Sequence, residues 1–425
     1  MFYTPGQIGV RAGLSPRAAK ATLRAASSSQ DAAGEEVSSR PESTARKDSS
    51  SATFECGGGR LLLPRADRLQ GMRILVHAAP LGLALLGNMI AAGQTASDKN
   101  THQWWNDRTV GRPGNKPNAR KLPLIAVRGN KFVDPQGNPV LFRGVSIADP
   151  DKISGQGHWN KDLFVKVSQM GARLVRIPVH PVAWRERTPR EYLVLLDQAV
   201  EWCTDLGMYV DIDWHSIGNL RTGLFQDPMY DTSMQETFSF WRTIAMHFAG
   251  NRTVAFYELF NEPTTFSNKL GPASWEEWKR TNEDLISVIR AYDPEKIPLV
   301  AGFDWAYDLT PLRLSPIEAE GVGYVTHPYP MKRPRPWESK WEEDFGFAAE
   351  RFPVLATELG FEGKAGTIEN GYGPTIIKYL EGRGIGWIAW AFDPEWGPRL
   401  VRSWDPFALT ESGEFFHQAM TGNAK

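Results

Sequence analysis

Between residues 141 and 391, eight short apolar runs alternate with segments of helical periodicity, and that alternation most narrows the folds open to this chain. The runs fall at 141–147, 173–179, 208–214, 254–260, 298–303, 323–327, 354–358 and 386–391. Helical patterns occupy 158–170, 189–206, 231–248, 273–292, 337–351 and 371–382, and the link between the fifth and sixth runs has room for a turn or two. Gly171, Gly207, Gly250 and Gly382 close four of these patterns, as helix C-termini favour. Ahead of them, 125–127 and 131–133 flank Arg128-Gly129-Asn130 and predict a small hairpin. Eight strand–helix units predict an α/β fold, a closed (β/α)8 TIM barrel, with that hairpin over one end.

The first 122 residues read differently. Residues 1–71 are rich in Ser, Ala and Arg and have no aromatic between Tyr3 and Phe54, so they cannot bury enough apolar surface to order themselves. Met72-Arg73, the apolar stretch 74–86 and the small residues Ala91-Ala92-Gly93 have the layout of a secretory signal peptide. The reading is therefore a disordered leader 1–71, outside the functional product, a signal at 72–93, and a linker or arm at 94–122. A single membrane anchor is the alternative for 72–93. The barrel would occupy 123–421 of a secreted or periplasmic monomer, with no membrane partner after signal cleavage.

Composition excludes several classes. After residue 96 there are 37 Lys+Arg against 42 Asp+Glu, which argues against nucleic acid or an anionic membrane surface as partner. Only Cys56 and Cys203 occur, so neither a disulfide framework nor a CxxC metal site is available, and Cys203 reads as a small core residue in a helix. No Gly-rich phosphate loop opens a helix and no HExxH spacing occurs, so neither a nucleotide cofactor nor a metal is expected.

The chemistry gathers where the apolar runs end. The fourth closes in Asn261-Glu262-Pro263 and the seventh in Glu358, two carboxylates 96 residues apart. Arg176 lies in the second run, Asp213-Trp214-His215 ends the third, His327-Pro328-Tyr329 ends the sixth, and Trp390 lies in the eighth. In a barrel these ends converge on one face, and a pair of carboxylates there suits glycosidic bond hydrolysis. Plainer readings exist for each: Glu262-Pro263 as a turn, Arg176 as a structural ion pair, His215 and His327 as satisfied core histidines. Trp202, Trp241 and Trp278 fall in helical patterns and read as packing. Trp305 and Trp396 follow the fifth and eighth runs and read as platforms for the flat face of a sugar.

Taken in this order, the motifs resemble glycoside hydrolase family 5, over residues 123 to 420. The resemblance implies that Glu262 is the general acid and then base, and Glu358 the nucleophile of a retaining double displacement. It implies that Asn261 meets a sugar 2-hydroxyl, that Arg176 and Tyr329 hold Glu358, that His215 and His327 position hydroxyls or carboxylates, and that Trp390 floors the subsite of the cleaved sugar. One carboxyl must be protonated while the other is ionised, which predicts a raised pKa for Glu262 and one lowered for Glu358 by Arg176.

The expected function is that of an endo-β-1,4-glucanase of cellulase type acting on a polysaccharide or oligosaccharide, since Asp213-Trp214-His215 resembles the cellulase branch. A β-mannanase or another β-glycosidase of the family is the alternative, including one that meets an anionic glycan through Lys332, Arg333 and Arg335. From a different class, the barrel could bind polysaccharide without cleaving it.

Overall fold

The computed structural model describes residues 103–106, 121–362 and 371–422. The expected leader and signal lie outside the described residues, as does most of the arm.

Eight parallel strands close on themselves in sequence order. They are β1 (Arg143–Ile147), β2 (Leu174–Val179), β3 (Tyr209–Trp214), β4 (Val254–Glu258), β5 (Ile297–Ala301), β6 (Gly323–Val325), β7 (Val354–Leu359) and β8 (Gly386–Phe392). Six of them, β2, β4, β5, β6, β7 and β8, are buried at every residue, as strands walled by helices must be. The helix Pro189–Leu206 follows its sequence pattern to the residue: Pro189 opens it and Gly207 ends it at φ 72°. Cys203 is buried within it.

The hairpin is present as two antiparallel strands, Ala126–Arg128 and Lys131–Val133. Its Phe132 is buried against Phe142 and Phe256, closing the N-terminal end of the barrel. In the arm, Trp104 is buried, packs edge-on against Trp184, and donates its indole N–H to Glu236 at 2.9 Å.

Four expectations need correction. The fourth apolar run does not stay in the barrel to Phe260: β4 stops at Glu258, and Glu262–Pro263 joins Ile217–Asn219 and Leu224–Phe225 in a small sheet at the mouth. The sixth strand stops at Val325, short of His327. The pattern 337–351 is broken into a helix, Trp337–Asp344, and a 3-10 turn, Gly346–Glu350, because Phe345 leaves helical geometry at φ −145°. Gly382 is the last helical residue of Tyr372–Gly382, and the left-handed position past that end is taken by Gly384. Between β5 and β6 lie the expected short turns, Phe303–Ala306 and Thr310–Arg313.

Candidate active site

The barrel's register brings charge together at its core. Between β2 and β3, Arg176 pairs with Asp211 and Pro178 with Asp213; between β3 and β4, Asp213 pairs with Glu258. Acidic residues two apart on a strand share a face, so three acids and one arginine point into the same interior layer.

Arg176 is fully buried. Its Nε and Nη2 donate to the two oxygens of Glu258 at 2.8 and 3.0 Å, and its Nη1 donates to Glu358 at 2.8 Å. Nη2 also donates to Asn261 Oδ1 at 2.7 Å and lies 3.0 Å from Asp213. The expected contact with Glu358 is therefore made, but the guanidinium fork is spent chiefly on Glu258, to which the sequence reading gave no role.

That division corrects the expectation for Glu358. Burial pushes its carboxyl up, Glu262 adds to this, and His327, the shared Arg176 and the Tyr329 hydroxyl at 2.8 Å only partly offset it, so its pKa is raised. Glu258 is the acid held low, at about 2, where Arg176 and His327 overcome its burial. Asp211 and Asp213 stand well above the usual range, first through burial and then, against Arg176, through the neighbouring carboxylates.

His327 links the two expected catalytic carboxylates. Its Nδ1 lies 3.0 Å from Glu262 Oε1 and 3.7 Å from Glu358 Oε2, and its Nε2 lies 3.0 Å from Thr357 Oγ1. Thr357 in turn donates to Glu258 at 3.1 Å. Burial opposes charge on this imidazole, but Glu358, Glu258 and Glu262 together raise it to about 9. Glu262, His327 and Glu358 each bring one polar atom within 4.8 Å of the others, close enough to hold a cation. At neutral pH both His327 nitrogens carry hydrogen, so the ring has no lone pair to offer a metal and supplies the positive charge itself.

The remaining expected residues line the same mouth. Asn261 is buried, and its Nδ2, turned away from Arg176, has no partner among the described residues. His215 bonds Asp213 at 2.6 Å through Nδ1, and burial holds it well below its ordinary pKa, hence neutral. Its ring lies parallel to Trp390 at 5.4 Å. Trp396 runs nearly parallel to Trp390 at 6.1 Å, its backbone N–H fixed by Asp393. Trp305 sits on the other flank, its indole N–H on Gln226 at 2.8 Å and Lys332 Nζ 4.7 Å from its ring centre. Asp304, Trp305 and Ala306 form a left-handed turn, and Phe266, Ser267 and Asn268 a second, with Phe266 packed edge-on against Trp305. Of the basic residues of this loop, Lys332 bonds the Asp304 carbonyl, Arg333 pairs with Asp344 at 2.8 Å, and Arg335 stacks on Trp337.

Four residues went unassigned in the sequence: Glu258, Thr357, His180 and Tyr230. A carboxylate inside an otherwise apolar strand was the available signal for Glu258, and Thr357 directly precedes Glu358 in its run; His180 and Tyr230 meet through a ring contact that no local pattern encodes.

Comparison with known proteins agrees with this geometry. The family model for cellulase (glycosyl hydrolase family 5) matches residues 133–395. Endoglucanase E-5 of Thermobifida fusca is 27% identical over 296 residues, covering 67% of this chain and 59% of that protein. The chain thus spans less than two thirds of that relative's length. The β-glucanase SdGluc5_26A of Saccharophagus degradans superposes with a TM-score of 0.71 at 44% identity, covering 76% of this chain and 99% of the other, and has also been solved with cellotetraose. The catalytic domain of the major endoglucanase of Xanthomonas campestris pv. campestris, at 19% identity and a TM-score of 0.57, shares the fold over 70% of this chain and 99% of its own. Among the described residues no helix is long and apolar enough to cross a membrane. A parallel barrel with two carboxylates bridged by a histidine at its mouth, matched by this model over most of its length, belongs to glycosyl hydrolase family 5, the cellulase family.

Proposed function

We propose that this protein is a retaining endo-β-1,4-glucanase, with Glu262 as acid/base and Glu358 as nucleophile, secreted to meet its polysaccharide. The observation that carries the mechanism is the closeness of the two carboxylates: an oxygen of each lies within 4.8 Å. Retaining enzymes hold their carboxyls about 5–5.5 Å apart, whereas inverting ones leave about 6.5–9.5 Å for a water. The relatives named for β-glucan cleavage, and the one solved with cellotetraose, support the substrate class. A neutral glucan is favoured over an anionic glycan, because Lys332 and Arg333 are already engaged by Asp304 and Asp344.

In the first step a Glu358 oxygen bonds the anomeric carbon while the glycosidic C–O bond breaks, and its electron pair leaves with an oxygen that takes a proton from Glu262. Arg176 and Tyr329 fix one Glu358 oxygen each, which aims the carboxylate. The orphan Nδ2 of Asn261 is placed to donate to a sugar hydroxyl, a contact that tightens as the oxocarbenium-like state forms. In the second step water bonds the anomeric carbon, Glu262 accepts its proton, and the ester bond returns its electrons to Glu358. While Glu358 is esterified its charge is gone, so Glu262 no longer faces a second anion as it becomes the base.

Proton NMR of the first product tests this: the β-anomer from a β-linked substrate is expected, and the α-anomer overturns retention. Glu358→Ala should lose nearly all turnover and regain part with azide. Glu262→Ala should lose about 10²–10⁴-fold on poor leaving groups and little on activated aryl glycosides. Identical behaviour of the two variants on an activated substrate would reverse the assignment of roles.

A further inference from the structure

His180, directly after β2, has no role in the chemistry described so far, yet it is held with unusual care. It is 2% exposed, and its ring lies 4.6 Å from His215, 5.2 Å from Trp396 and 5.6 Å from Tyr230. That places it among the rings that line the mouth beside Trp390. Its Nδ1 meets Asp149 Oδ2 at 3.0 Å, and its backbone N–H donates to the same oxygen at 2.9 Å. Asp149 Oδ1 accepts from the Asp151 backbone N–H at 2.7 Å and from the Tyr192 hydroxyl at 2.8 Å. Tyr192 remains a donor, since burial and then the Asp149 charge raise its phenol well above its ordinary range.

A carboxylate surrounded by three other donors acts as acceptor toward the fourth, so the hydrogen of His180 sits on Nδ1. Nε2 then carries the lone pair. Among the described residues Nε2 has no hydrogen-bond partner. Packing alone would be served by an apolar side chain here. Fixing the tautomer and the ring orientation makes sense where a ligand hydroxyl comes to Nε2.

Barrel order says which sugar that is. Glu262 follows β4 and would protonate the leaving oxygen, so the departing part of the chain lies on its side, with Trp305 after β5 and Lys332 after β6. His180 after β2, Asp149 after β1 and Trp396 after β8 occupy the opposite arc. We propose that His180 reads a hydroxyl of the sugar next to the cleaved one on the glycone side, accepting its hydrogen at Nε2 while that pyranose lies against Trp396. This rests on the glycosidase reading above and adds a determinant of specificity to it.

Two substrates differing by that one sugar separate the claims: dinitrophenyl β-cellobioside and dinitrophenyl β-glucoside, whose leaving group lets the shorter one turn over measurably. The wild type should prefer the cellobioside, and failure on both would refute the glycosidase reading itself. His180→Ala should lower kcat/KM on the cellobioside about tenfold or more, the effect of deleting a hydrogen bond to a desolvated hydroxyl, and leave the glucoside unchanged. His180→Gln, whose amide oxygen can accept the same hydrogen, should recover part of the loss and keeps the test open if the alanine variant folds poorly. Equal losses on both substrates would make His180 structural, and no loss on the cellobioside would remove it from the binding of sugar; either overturns the proposal.

Discussion

A guanidinium with no access to water must find acceptors for its N–H donors inside the protein, and Arg176 finds them on Glu258, Glu358, Asn261 and Asp213. It is shared between Glu358 and Glu258 beneath it, so against the burial of Glu358 it offers too little to drive that carboxyl low. Arg176→Met would leave Glu258 and Glu358 buried without their cation, and breaking a buried pair of this kind costs about 3–5 kcal/mol. Denaturant unfolding should register that loss; a change of less than about 1 kcal/mol, the usual weight of a surface pair, would mean the network contributes little. His327 makes a prediction in pH. Its folded pKa is raised from the ordinary 6.5 to about 9, so its contribution to stability is complete below 6.5 and is lost as pH rises through 9. The stability advantage of wild type over His327→Gln should therefore shrink between pH 6.5 and 9, and an advantage that grows with pH would contradict a cationic His327. Activity should fall over the same range, because the positive charge between Glu262 and Glu358 disappears.

At the scale of elements, what local sequence encodes was legible and what pairing decides was not. The helix Trp275–Arg290 begins with Ser274, whose hydroxyl accepts from the Glu277 backbone N–H and donates to the Glu277 carboxylate. Such a cap satisfies one orphan backbone donor, so Ser274→Ala should cost about 1 kcal/mol in unfolding free energy with no change in kcat/KM. The eight strands were legible for a similar reason, since apolar runs and their Gly and Pro boundaries are local signals. The end of β4 was not. Leu259 and Phe260 continue the apolar run, yet Asn261 and Glu262 turn their backbone N–H groups to Trp214 and Ser216 across the mouth, drawing Glu262 out of the barrel into a second sheet. Nor could the left-handed turn at Asp304, Trp305 and Ala306 be read, because none of the three is the glycine that usually marks such geometry. The candidate carboxylates, their histidine and the tryptophans were visible as types out of place at strand ends. How Arg176 divides its donors, and that Asp149 orients His180, depend on strand register and on loops meeting across the mouth.

For the whole molecule, the two ends of the barrel carry different burdens. The C-terminal mouth holds the carboxylates, buried charge and left-handed turns, features that make a site work at some expense of stability. The N-terminal end holds neither of the two candidate carboxylates, although a buried pair, Lys296 and Asp293, lies just before β5. There Phe132 from the hairpin meets Phe256 at 5.0 Å and Phe142 at 6.2 Å, all edge-on, with Leu174, Ile297, Leu355 and Ile388 in the same apolar cluster. A plug of this kind excludes water from the lowest layer of the barrel but touches nothing at the mouth. Phe132→Ala should therefore open a cavity and destabilise the protein by about 3–5 kcal/mol. Below its lowered unfolding transition, kcat/KM on an aryl β-cellobioside should stay within about twofold of wild type, since the bottom face of such a barrel serves stability and the top face catalysis. Glu358→Gln is the complementary case: it should abolish turnover while leaving the unfolding midpoint at or above that of wild type, because it relieves a buried acid of its charge. If Phe132→Ala instead lowered kcat/KM in the fully folded protein, the ends of the barrel would be coupled, and the site could not be treated as resting on an independent scaffold.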